Sequence, residues 1–129
     1  MTASNPLSIL PTLEADLVRV ENLLADSVRS NLDMLAEAAA HLAKAGGKRV
    51  RPGFAIAAAA TGHSSSRPAE VDVLMGGVAV ELVHLGSLYH DDVMDEATTR
   101  RGVPAANQRW GNVVAILTGD FLLAQSSVI

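Results

Sequence analysis

From Leu82 to Arg101 the chain reads LVHLGSLYHDDVMDEATTRR, and this stretch holds most of its candidate chemistry. Three carboxylates, Asp91, Asp92 and Asp95, fall within five residues, and Arg100 and Arg101 follow closely. At about 100° per residue, Asp91 and Asp95 share one side of a helix, with His84 about 20° from Asp91. Ser87 lies about 40° to the other side and Glu81 about 80° round. The result is a polar stripe of Glu81, His84, Ser87, Asp91 and Asp95 on an otherwise apolar helix. Asp92 points about 100° away from Asp91.

Gathering acids at a helix C-terminus is unfavourable, because the dipole disfavours each by about 0.3–1 kcal/mol. Carboxylates about 6 Å apart also repel by roughly 3 kcal/mol per pair at an effective dielectric near 20, and by less when solvent screens them. A solvated helix end is the plain alternative for any acidic cluster, but it leaves both penalties standing. A cation reverses them. Oxygen donors in a chain without cysteine suit Mg²⁺ or Ca²⁺, and the spacing is not that of an EF-hand loop. Mg²⁺ takes one or two carboxylates and completes its shell with water and phosphate oxygens. Arg100 and Arg101 then read as phosphate clamps, and the whole as a magnesium–diphosphate site.

A second cationic element is GGKRVRP, Gly46 to Pro52. Lys48 and Arg51 stand three apart with Arg49 between them, where a glycine pair ends one helix and Pro52 suits the first turn of the next. Backbone N–H groups at a helix start, together with cations, can hold an anion. The Walker pattern GxxxxGK[ST] is absent. His84 has two readings, as a satisfied core histidine or as a member of the site on the Asp91 stripe. Asp120 reads as a buried acid paired with an arginine.

The elements that must position these groups read as helices. Leu13, Leu17, Val20, Leu23 and Leu24 recur at helical spacing, and a second helical stretch spans about 31–45. FAIAAAATG after Pro52 reads as a buried helix, and GHSSSRP at 62–68 as a loop. A long helix covers about 69–95, residues 96–106 form a connecting loop, and 107–129 return to helix. Residues 1–11 are a flexible lead-in. We expect one partial domain over 1–129, truncated because LLAQSSVI stops in the middle of an apolar pattern.

Of 129 residues, 49% are hydrophobic and only 3% aromatic, which favours an all-α core of Ala, Leu and Val. The net charge of −4 and the lack of a basic stripe exclude general nucleic-acid binding. No uncharged apolar run approaches the roughly 20 residues that span a bilayer, and MTASNPLSIL is unlike a signal peptide. A cytoplasmic location is expected.

GGKRVRP at 46–52, ELVHLGSLYHDDVMDEATTRRG at 81–102 and GDFLLA at 119–124 together resemble the trans-prenyltransferases, the all-trans polyprenyl diphosphate synthases. The resemblance implies an isoprenoid-synthase helical bundle around a central cavity, joining isopentenyl diphosphate to an allylic diphosphate. It implies that Asp91 and Asp95 carry Mg²⁺, with Asp92 ranked below them as a ligand. Arg100 would contact the allylic diphosphate, and Lys48, Arg51, His84 and Arg101 would hold isopentenyl diphosphate. Gly86 and Ser87, five and four residues before the first aspartate, would help set chain length. Their small size implies a medium- to long-chain product. The family also carries a second aspartate-rich motif, which this sequence lacks. Alone, these residues are expected to be inactive, and the full-length form to be a homodimer. The alternatives are a class I terpene synthase, which has no use for the GGKRVRP loop, and a non-catalytic partner subunit, which would be expected to have lost the aspartates.

Overall fold

The computed structural model describes residues 6–63 and 66–129. A 3₁₀ turn at Pro6–Ile9 precedes helices α1 (Leu13–Ser27), α2 (Asp33–Lys44), α3 (Val50–Ala60) and α4 (Val71–Met94). A two-stranded hairpin follows, β1 (Thr99–Arg100) against β2 (Val103–Pro104), then α5 (Ala106–Trp110) and α6 (Asn112–Val128). The all-α expectation holds, and several local expectations change. Part of the expected lead-in, Pro6–Ile9, is ordered as a helical turn, while residues 1–5 lie outside the described residues. The expected 96–106 loop contains the hairpin. The expected 107–129 helix divides at Gly111, whose φ of 87° no helix accommodates.

Helix α4 is the axis of the bundle, packing on α1, α3, α5 and α6. Its buried positions, Leu74, Val78, Glu81, Leu82, Leu85, Tyr89 and Asp92, follow three- and four-residue steps and form one inward stripe. By length and composition α4 could also cross a bilayer, a property that a central bundle helix shares. Three members of its inward stripe are polar, and each takes a partner from another element. Glu81 meets Arg49 at the start of α3, Asp92 meets Arg100 of β1, and the Tyr89 hydroxyl donates to the Ala38 carbonyl of α2. The N–H of Leu42 donates back to that hydroxyl at 3.3 Å.

Further out, Asp16 of α1 is buried and accepts from the Ala69 N–H at 3.0 Å, while Arg19 donates to the Ala69 carbonyl at 2.8 Å. Together they clasp the backbone just ahead of α4. Helix α3 is less buried than its composition implies. Pro52, Gly53 and Ile56 face inward, but Phe54 is 61% exposed.

Burial pushes the Tyr89 phenol up to about 12 from an ordinary value of 10.0. The neutral form is therefore the one the fold accepts. That contribution is intact below pH 10 and is lost as pH rises through 12, by about 3 kcal/mol in total. Urea melts across that window should show the loss in the native chain and not in Tyr89→Phe. Equal losses in both would place the effect elsewhere.

Candidate diphosphate and metal site

Asp91 and Asp95 are exposed at the C-terminal end of α4, with the Asp95 N–H donating to the Asp91 carbonyl at 2.8 Å. Asp92 faces inward at 1% exposure and is engaged by Arg100. Arg100 Nε donates to its two oxygens at 3.1 and 3.2 Å, and Nη2 to Oδ1 at 2.5 Å. Asp92 thereby anchors an arginine beside the other two carboxylates. The bonds from Asp92 raise the Arg100 pKa, and the charges of Asp91 and Asp95 add to the effect.

Among the described residues no three His, Asp or Glu side chains converge on one point to cage a metal. Asp91 and Asp95 remain as a pair. That suits Mg²⁺, which needs few protein carboxylates and takes its other oxygens from water and phosphate.

The cationic side of the site is built by the Gly46–Arg49 segment and the hairpin. Arg49 has left-handed φ and ψ of 50° and 40°, a conformation that costs a non-glycine residue about 1–2 kcal/mol. Its guanidinium donates to Glu21 at 2.5 and 3.3 Å, to Glu81 at 3.3 Å and to the Ala43 carbonyl at 2.9 Å, all at 4% exposure. Arg101 is also left-handed, with φ of 54°, and donates to the carbonyls of Leu42, at 3.1 Å, and Gly46. Burial lowers the Arg101 pKa, and the neighbouring Arg49 charge lowers it further. Lys48 and Arg51 are exposed and make no side-chain hydrogen bond or ion pair with the described residues.

His84 is half-buried between these groups. Burial lowers its pKa below 6.5, and the charges of Arg51, Arg101 and Arg100 lower it further against the opposing effect of Glu81. Its imidazole is therefore neutral near pH 7 and sits in a field of three cations, a surrounding that an anion would relieve. The sequence reading passed over Arg49 as a positioning group. The available signal was Glu81, an acid on the apolar face of a helix, which requires a buried cation.

Of the two small residues before the aspartates, Ser87 is half-buried and its hydroxyl donates to the His84 carbonyl at 2.6 Å. Gly86 is buried where α4 crosses α6. A Cβ there would stand 3.0 Å from the Gly119 carbonyl and 3.1 Å from Leu123. The expected pairing of Asp120 with an arginine does not occur. Asp120 is exposed and pairs with His90 at 3.1 Å, because its side of α6 looks back at the end of α4.

Residues 32–129 match the family model described as Polyprenyl synthetase. The chain is 46% identical over 115 residues to the nonaprenyl diphosphate synthase of Mycobacterium tuberculosis, covering 89% of this chain and 33% of that one. It is 46% identical to heptaprenyl diphosphate synthase component 2 of Geobacillus stearothermophilus, covering 88% and 34%. Among solved structures, heptaprenyl diphosphate synthase from Staphylococcus aureus superposes with a TM-score of 0.85 at 36% identity, over 90% of this chain and 36% of that one. Polyprenyl synthase from Caulobacter crescentus CB15, complexed with calcium and isoprenyl diphosphate, gives 0.82 at 35% identity, over 99% and 38%. The chain spans about a third of the length of these relatives. On the sequence match, the fold and the shared helical bundle, this chain belongs to the polyprenyl synthetase family.

Proposed function

We propose that the chain is the N-terminal part of a prenyltransferase that condenses isopentenyl diphosphate with an allylic diphosphate. The observation that carries this reading is the pair of exposed carboxylates, Asp91 and Asp95, at the end of α4, with Arg100 held beside them by Asp92 and Arg101 held against the Gly46 carbonyl of the GGKRVRP segment. Asp91 and Asp95 would hold Mg²⁺ against the allylic diphosphate. Bound Mg²⁺ supplies charge neutralisation to that group as it leaves. Arg100, fixed by Asp92, faces the same leaving group. Lys48, Arg51, His84 and Arg101 hold the second diphosphate. The allylic C–O bond breaks and its electron pair leaves with diphosphate. The isopentenyl double bond then attacks the allylic cation, and a proton is lost to form the new double bond. The apolar wall of α4 keeps water from the cation.

The full-length protein should elongate an allylic primer with radiolabelled isopentenyl diphosphate in the presence of Mg²⁺, and should stop when the metal is chelated. No elongated product, or elongation indifferent to chelation, overturns the reading. Relatives named for heptaprenyl and nonaprenyl products support a medium- to long-chain product. Ser87→Phe, one helical turn below Asp91, should narrow the cavity and shorten the product; an unchanged product spectrum removes Ser87 from that role. We place the full-length protein as a homodimer. A relative named as component 2 supports the alternative of a partner subunit, and sizing the purified protein with and without candidate partners separates the two.

A further inference from the structure

We propose that Arg49 is the positioning residue of the isopentenyl diphosphate site, fixing the segment that presents Lys48 and Arg51 while contributing little charge of its own. The proposal rests on the reading of Lys48 and Arg51 as ligands of that diphosphate. Among the basic side chains here, Arg49 is the one matched by two carboxylates, Glu21 of α1 and Glu81 of α4. A guanidinium so matched has little attraction left for a third anion, and at 4% exposure it has no path to one. Its bonds run to α1, to the end of α2 and to α4, so the start of α3 is tied to three helices at once.

Those ties act on backbone that has reason to move. Arg49 is left-handed at the cap of α3, an arrangement that persists only where surrounding contacts over-determine it. Gly47 passes between two guanidinium groups. A Cβ on it would lie 2.7 Å from Arg49 Nη1 and 3.1 Å from Arg101 Nη1. The segment is thus held from the inside by Arg49 and from the hairpin side by Arg101, which also bonds the Gly46 carbonyl. Lys48 and Arg51, on either side of the buried residue, are the charged side chains left facing solvent.

Glu21 is 48% exposed, so Glu21→Gln should fold and gives the clean test in the full-length protein. We expect the amides of residues 46–51 to exchange hydrogen at least tenfold faster. KM for isopentenyl diphosphate should rise several-fold, with KM for the allylic diphosphate and kcat moving less than twofold. Glu81→Gln should act in the same direction and more strongly, and Arg49→Lys should restore part of the loss seen in Arg49→Gln. If Arg49 instead acted on the substrate by its charge, freeing it with Glu21→Gln or Glu81→Gln would lower KM. A lowered KM, or unchanged exchange and KM in Glu21→Gln, overturns the proposal. A native protein that consumes no isopentenyl diphosphate points instead to failure of the functional reading, and the exchange rates then test the anchoring alone.

Discussion

Asp91→Ala and Asp95→Ala should each lower the condensation rate by at least about a hundredfold, the loss typical of removing one preorganised electrostatic contact. Neither should shift unfolding by more than about 0.5 kcal/mol, because both side chains are exposed at the end of α4. Asp92→Ala should act on stability as well as on rate. It removes a carboxylate that is 2% exposed and leaves Arg100 without its partner, which for a buried pair costs about 3–5 kcal/mol. Arg100 is 32% exposed and can partly rehydrate, so the lower end is expected. The Mg²⁺ concentration for half-maximal rate should rise in the first two variants and stay in place in the third. Three variants with the same stability and the same metal dependence would show that the aspartates do not divide their work in this way.

Gly119→Val should destabilise the fold by about 3 kcal/mol, the upper range for forcing methyl groups into a packed contact. A side chain at Gly119 would enter the His90 ring and stand 3.0 Å from the Gly86 carbonyl, so α4 and α6 could not keep their approach. The ring has little room to retreat, since its Nε2 is held by the Ile116 carbonyl at 3.0 Å and Asp120 at 3.1 Å. His90 immediately precedes Asp91, so the same displacement should lower activity as well. Gly76→Ala is the matched control. Gly76 lies in α4 with open space at its Cβ, and alanine there should stabilise by about 0.5–1 kcal/mol. Urea unfolding of both variants checks the pair, and a Gly119→Val protein as stable as the native chain would mean that the two helices can slide apart at no cost.

The long apolar helix and its acidic end were legible because their signals are local. Apolar spacing marks α4, and three aspartates within five residues mark its end. Helix angles alone already separated Asp92 from Asp91. What stayed hidden depended on residues far apart in the chain. Arg49 was visible as a basic residue between two others, but its inward direction is set by Glu21 and Glu81, 28 and 32 residues away. The Asp16 clasp on Ala69 spans 53 residues and has no local signature. Asp120 was misread because a lone acid in an apolar helix usually needs a cation nearby. Here it is exposed on α6 beside the end of α4 and meets a histidine instead. The hairpin escaped notice because two-residue strands carry no periodicity.

The central place of α4 bears on the order in which the chain can fold. Val20, Leu24, Leu42 and Ile56 belong to one buried cluster with Leu74, Val78, Leu82 and Leu85. Of the first three helices, α1 and α3 pack on α4 and on each other, whereas α2 packs chiefly on α6 and meets α1 only slightly. One core that joins all three therefore needs both α4 and α6. A chain ending at residue 63 should accordingly melt without cooperativity, while one continued through α6 should show a single transition. The helix that holds the aspartates is then also part of the surface on which the earlier half of the chain packs.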